Sequence, residues 1–170
     1  MTIRKATRKD EDALADLFIG HLSTHPEYIS HGEIQMGVGI GKVQDGAFVT
    51  ALAPDARDKW LKYIREHLEQ PAFGCVWKAL DEDGALAGFA VADIEEDGDA
   101  PFGVVCDVMV KEEYRGRGAG SQLLDAAIEW LWKQGVQDIF LESGKDNHSA
   151  HRFFEKRGFT HVSEIYKKIF

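Results

Sequence analysis

Apolar residues recur at 13, 14, 17 and 18 within residues 10–22, the spacing of a helix with one buried face, and Asp10 suits its N-cap. The short stretch TIRKA before it reads as a first strand. Residues 25–53 mix isolated apolar residues with glycines and hold neither helical nor strand period, so they are read as loop with some short element. Pro54 then opens a second helix with Trp60, Leu61, Ile64 and Leu68 on one side, and Pro71 closes it. From Phe73 the texture turns to strand. FGCVWKAL, the turn DEDG, ALAGFAVADIEE, the turn DGDA and FGVVCDVMV make an antiparallel meander of three strands. GAGSQLLDAAIEWLWKQG follows as a helix, with Leu123, Leu124, Ala127, Ile128 and Leu131 inward and Gly135 at its end. A strand QDIFLES, a helix NHSAHRFFEKRG and a final strand region FTHVSEIYKKIF complete the chain, with Trp132, Phe153 and Phe154 suited to core packing. The order β-α-α-β-β-β-α-β-α-β, without repeat or linker, predicts a single α/β (α+β) domain over residues 1–170. Its central sheet is mixed, mostly antiparallel and flanked by helices.

Charge sharpens this picture. Of the net −9, residues 1–100 carry 10 Lys and Arg against 19 Asp and Glu, while residues 101–170 carry 10 of each. A pI of about 5.2 speaks against a sequence-independent nucleic-acid binder, which meets phosphates with a basic face. No apolar run nears the roughly 18 residues of a membrane span, and Met1 leads directly into charged sequence, so a cytoplasmic protein without a membrane partner is expected. Cys75 and Cys106 lie far apart and lack metal-ligand spacing, which points to two buried thiols rather than a disulfide framework.

The chemistry centres on YRGRGAGSQLL, residues 114–124. A strand ending at Val110, a glycine-rich turn and a helix starting near Ala119 aim free backbone N–H groups at one point beyond the helix N-terminus, where an anion binds. Gly116, Gly118 and Gly120 carry no side chain to obstruct it, and Arg115 and Arg117 add positive charge. Ala119-Gly120-Ser121 provides neither the Lys-Ser/Thr of a P-loop nor the spacing of a dinucleotide fingerprint. The second glycine cluster, residues 37–42, fails the P-loop pattern at Met36 and Val43 and reads as a flexible segment.

The run Arg115-Gly116-Arg117-Gly118-Ala119-Gly120 resembles the R/Q-x-x-G-x-G/A signature of the GCN5-related N-acetyltransferases, and NHSAHRFFEKRGF resembles that family's second motif. The likeness covers about residues 73–170, the acetyl-CoA-binding part. Residues 1–72, where the family varies with its acceptor, match only in outline. The resemblance implies acetyl-CoA as acyl donor, lying where two parallel strands part, here residues 104–110 and 138–142. Backbone groups of Val108, Met109 and Val110 would hold the pantetheine arm. N–H groups of Arg115, Gly116, Arg117, Gly118, Ala119, Gly120 and Ser121 would hold the pyrophosphate, and Asn147 would contact the pantetheine or its attached group. The family's general-acid tyrosine is replaced by Phe154, which would still line the cofactor but cannot donate a proton. An alkyl thiolate of pKa about 8.5 can leave without a dedicated acid, and Tyr166, Ser149 or water are its possible substitutes.

Asp107 stands where many relatives have an acidic residue, and strand parity puts it on one face with Val105 and Met109, making it the expected base for the acceptor amine. Parity also turns its neighbour Cys106 to the other face, against a role as nucleophile. His21 and His25 lack a third ligand, no metal is expected, and His148 and His151 read as surface residues. The expected activity is acetyl transfer to a primary amine of a small molecule or peptide in a ternary complex. The acceptor is expected to be cationic, because the excess acid lies in the part that would build its site. An acyl-CoA-binding regulatory module is the alternative, and a monomer or a homodimer is compatible with the sequence.

Overall fold

The computed structural model describes residues 1–96 and 100–168. Its elements run β1 (Thr2–Lys5), α1 (Glu11–Thr24), α2 (His31–Gln35), β2 (Gly39–Gln44), β3 (Ala47–Leu52), α3 (Ala56–Glu69), β4 (Gly74–Leu80), β5 (Leu86–Glu95), β6 (Phe102–Val110), α4 (Ala119–Lys133), β7 (Ile139–Leu141) and α5 (His148–Glu155). They form two compact units, each made of two stretches of chain: Met1–His21 with Trp60–Leu141, and Leu22–Lys59 with Glu142–Phe170.

The first unit is built on a sheet of order β1-β4-β5-β6-β7, in which only the β6–β7 pair is parallel. Its middle strand β5, LAGFAVADIE, is buried from Ala87 to Ala92 without alternation, as a strand covered on both faces must be. On one face Trp60 of α3 stacks on Phe18 of α1 at 4.7 Å and meets the edge of Phe89 at 5.5 Å. On the other, small residues Ala79, Ala87 and Ala90 admit Ala119 and Leu123 of α4. Asp10 does not cap α1. Its carboxylate accepts from the Thr7 backbone N–H at 2.8 Å and from Lys78 at 2.7 Å, tying the chain entry to β4.

Two readings change in this unit. Trp132 is 71% exposed, because Leu123, Leu124, Ala127 and Leu131 set the inward face of α4 and Trp130 is the tryptophan that joins it. Trp132 instead borders a surface groove with Ile128, Val136 and Ile139. Cys75 is buried, but Cys106 is only partly so. The DGDA turn falls mostly on residues 97–99, outside the described residues.

In the second unit β2 and β3 form a hairpin where loop was expected. Asp45 (φ 51°) and Gly46 (φ 79°) make its two-residue turn, a pairing whose twist matches antiparallel strands. Gly39 and Gly41 are strand residues rather than part of a flexible segment. A Cβ on Gly41 would press into the Phe48 ring across the ladder. Ser30 caps α2 and in turn receives Glu33, whose carboxylate accepts the Ser30 N–H at 2.6 Å. No strand forms within residues 159–168. That segment has no sustained alternation, and Val162, Ile165 and Tyr166 stand exposed. Among the described residues, no helix is long and apolar enough to cross a membrane.

One polar contact fastens α3 to β5. His67 Nε2 lies 2.7 Å from Asp93 Oδ2, and its Nδ1 lies 2.8 Å from the Tyr63 carbonyl. Carbonyl and carboxylate both accept, so the ring engages both as an imidazolium. Burial alone would lower its pKa, but the Asp93 carboxylate and the Tyr63 carbonyl outweigh burial and raise it. A raised histidine pKa stabilises the fold fully below the unfolded value of about 6.5, and that contribution disappears as pH rises through the folded value. Urea unfolding as a function of pH is expected to show this loss above about pH 6.5, and His67→Gln to remove it together with roughly 2 kcal/mol at pH 5.5.

Candidate functional site

β6 pairs with β7 only through Gly103–Ile139, Val104–Phe140 and Val105–Leu141, then runs five residues further to Val110. On the β5 side Ala92 pairs with Val105 and Val91 with Asp107, so Cys106 is an extra residue, a β-bulge placed directly after the last parallel pair. Beyond the bulge, Val108, Met109 and Val110 stay paired to Ala90, Phe89 and Gly88 while their opposite edge lies past the last β7 partner. Gly88 is required there: a Cβ would collide with the Met109 carbonyl and crowd Val110.

The bulge corrects the parity expectation. Cys106 and Asp107 do not diverge to opposite faces, because both reach the hydroxyl of Tyr63 on α3. Asp107 Oδ2 lies 3.5 Å from Tyr63 Oη, and Tyr63 also hydrogen-bonds the Cys106 thiol. Burial, then Asp93 and Asp107, push that thiol well above its ordinary range. Cys106 therefore stays a thiol, and the case against a nucleophile rests on charge and burial rather than on direction. Its Sγ also lies 3.5 Å from Asp93 Oδ2, so Tyr63, His67, Asp93, Cys106 and Asp107 form one cluster. The 2.7 Å between His67 and Asp93 is a direct hydrogen bond. The sequence reading missed Tyr63 and His67, although their i, i+4 spacing on an amphipathic helix puts them on a common face.

After Val110 a single 3-10 turn, Glu112–Tyr114, leads to the glycine loop. Gly116 (φ 73°) and Gly118 (φ 85°) adopt the left-handed backbone that side chains resist. Gly118 is the N-cap of α4. The first helical bond runs from Gln122 N–H to the Gly118 carbonyl at 3.0 Å, so the N–H groups of Ala119, Gly120 and Ser121 have no partner within the helix. A Cβ on Gly116 would meet nothing within 4 Å, so its glycine answers to backbone angle and not to crowding inside the protein.

The two arginines differ. Arg115 donates to the Val110 carbonyl at 3.2 Å and lies 3.3 Å from His21 Nδ1, so it braces the loop and sets a cation beside a histidine considered as a metal ligand. Arg117 is exposed and lies over the Tyr114 ring. Tyr114, another residue the sequence reading passed over, donates to Asp81 at 2.6 Å and packs on the Ala79–Ala119 cluster, fixing the loop to the β4–β5 turn.

Asn147 and Phe154 belong to the second unit. Asn147 caps α5, its side-chain oxygen accepting from Ala150 N–H at 3.3 Å and from Ser149 Oγ at 3.1 Å. Phe154 packs its ring against Phe153 and Phe159. His151 bonds the Gly144 carbonyl at 3.0 Å, and Tyr166 donates to Glu164, which raises its phenol pKa and weakens it as an acid.

The model of the Acetyltransferase (GNAT) family matches residues 45–159, more than half of the chain. An uncharacterized N-acetyltransferase of Bacillus subtilis is 33% identical over 113 residues, which are 66% of this chain and 43% of that protein, so the chain spans less than half of that relative. The N-alpha-acetyltransferase 30 of Schizosaccharomyces pombe is 28% identical over 115 residues, 66% of this chain and 75% of that one. Among solved structures, a putative acetyl transferase from Pyrococcus furiosus superposes with a TM-score of 0.70 at 20% identity, covering 99% of both chains. The aminoglycoside N-acetyltransferase AAC(6')-Iy in complex with CoA superposes with a TM-score of 0.70 at 19% identity, covering 98% of this chain and 93% of that one. With the family model matched over more than half of its length, the chain belongs to the GCN5-related N-acetyltransferases.

Proposed function

We propose that this chain, as one catalytic domain, transfers the acetyl group of acetyl-CoA directly to a primary amine held in the same complex. The observation that carries the reading is the run of β6 from Asp107 to Val110 past its last β7 partner, followed by left-handed Gly118 at the head of α4. A strand edge and a helix N-terminus in succession suit a cofactor that is an amide-bearing arm ending in a pyrophosphate.

Acetyl-CoA supplies the activated acyl group as a thioester. In this reading the backbone edge of Val108, Met109 and Val110 takes the pantetheine amides. The N–H groups from Arg115 to Ser121 take the pyrophosphate, with Arg117 adding charge and Arg115 keeping the loop in shape. Asn147 and Phe154 keep the roles given by the family resemblance, with the Asn147 amide nitrogen as its donor because its oxygen is committed to the α5 cap. Asp107 accepts the proton of the acceptor ammonium, without which a lysine-like amine is neutral only about once in a few thousand at pH 7. Phe154 brings no proton to the departing thiolate, whose pKa of about 8.5 lets it leave and take one from water.

Gly118→Val sets a β-branched residue at φ 85° and narrows the helix head, so calorimetry is expected to find CoA affinity reduced by more than about tenfold. Wild-type affinity would remove the pyrophosphate from this loop. Asp107→Asn is expected to lower kcat by roughly 10² to 10⁴ with little change in CoA affinity. CoA binding without turnover of polyamines, aminoglycosides, amino acids or lysine peptides would favour the regulatory module that Phe154 suggests.

The acceptor is cationic in this reading, drawn by the acidic first 100 residues. Several of those acids are committed elsewhere: Asp10 to Lys78, Glu11 to Arg65, Asp81 to Tyr114 and Asp93 to His67. What remains acts at long range, so kcat/KM for a polycationic amine is expected to fall steadily from about 50 to 500 mM salt while kcat holds. An unchanged kcat/KM over that range would leave the acidity without a part in acceptor choice.

A further inference from the structure

The cluster under the bulge contains more than a base. Asp107 faces Tyr63 and His67 from α3, Asp93 from β5 through the shared Tyr63 and Cys106, and its own neighbour Cys106 on β6. Three observations order these groups. The Tyr63 hydroxyl is held far from ionisation, first by burial and then by Cys106, Asp107 and Asp93, so toward a carboxylate it acts only as a donor. The Tyr63 ring lies against the His67 ring with centroids 4.3 Å apart and against Trp60 at 6.2 Å, and Trp60 is itself fully buried. His67 cannot turn, because one ring nitrogen is bonded to the Tyr63 carbonyl and the other to Asp93.

We propose that Tyr63 is a positioning residue for Asp107, its phenol holding the carboxylate in the orientation that receives the acceptor's proton, and that the His67–Asp93 pair fixes Tyr63 in turn. The proposal rests on the reading of Asp107 as base. A bulge re-aims the side chain beside it, and a base is effective only while it stays within hydrogen-bond reach of the proton it takes. A phenol fixed in the adjoining core supplies that restraint. It also favours the ionised carboxylate, since a donor stabilises the charged form. Chain order explains why the device is hidden: Tyr63 and His67 precede Asp107 by some forty residues and lie outside both sequence motifs.

The test compares Asp107→Asn, Tyr63→Phe and His67→Gln in the intact chain, with kcat, KM for acetyl-CoA, CoA affinity and the pH–rate profile measured on one amine that is turned over. Tyr63→Phe is expected to lower kcat by about tenfold, to leave CoA affinity unchanged, and to move the acidic limb of the profile to higher pH. The limb moves that way because loss of the donor makes Asp107 easier to protonate. His67→Gln is expected to move kcat and limb in the same direction by less. If Asp107→Asn keeps wild-type turnover, the base assignment fails and the proposal with it. If Asp107→Asn is slow but Tyr63→Phe leaves the limb in place, the proposal alone fails. A Tyr63→Phe loss matched by an equal loss of CoA affinity marks a packing role and also overturns it.

Discussion

One extra residue in one strand governs the candidate site. Cys106 has no partner on β5, and the β6 ladder resumes at Asp107 in shifted register. The extra residue follows directly on the last β7 pair, Val105–Leu141, and β6 runs on to Val110 past that pair. Asp107 and Cys106 come to the same hydroxyl. Val108 to Val110 remain paired to β5 along one edge, with Gly88 allowing the backbones to approach.

The surroundings of the bulge explain its charge. Two carboxylates, a thiol, a phenol and an imidazole converge where α3 crosses β5 and β6. They are tolerated because each is hydrogen-bonded and because His67 carries a proton against Asp93. The same field holds Cys106 and Tyr63 in their protonated forms. Elsewhere in this unit acids also serve architecture: Asp10 and Glu11 fasten the start of α1, and Asp81 anchors the glycine loop through Tyr114. The first 100 residues are thus less free to attract an acceptor than their composition suggests.

How far the sequence could be read depends on what each feature needs from its neighbours. The meander, α3 and α4 were legible because their apolar periods are long and bounded by turns or prolines, and the glycine loop because a left-handed backbone demands glycine. The hairpin at residues 39–52 was not, since Gly39 and Gly41 interrupt its alternation. Its one clear local signal was Asp45-Gly46 between GKVQ and AFVT. Trp132 was misjudged because a two-residue choice between Trp130 and Trp132 is decided by packing against the sheet and not by hydrophobicity. The bulge itself left no trace in VVCDVMV, where parity assumes an unbroken ladder. Tyr63 and His67 became visible only when the fold brought α3 against β6.

The account is tested most directly by backbone amide hydrogen exchange of the chain with and without CoA. It predicts slowed exchange concentrated in two short stretches, Val108 to Val110 on the edge of β6 and Arg115 to Ser121 at the head of α4, with the β4–β5 ladder unaffected. Protection centred on the β2–β3 hairpin or on the groove beside Trp132, with those two stretches unchanged, would contradict it.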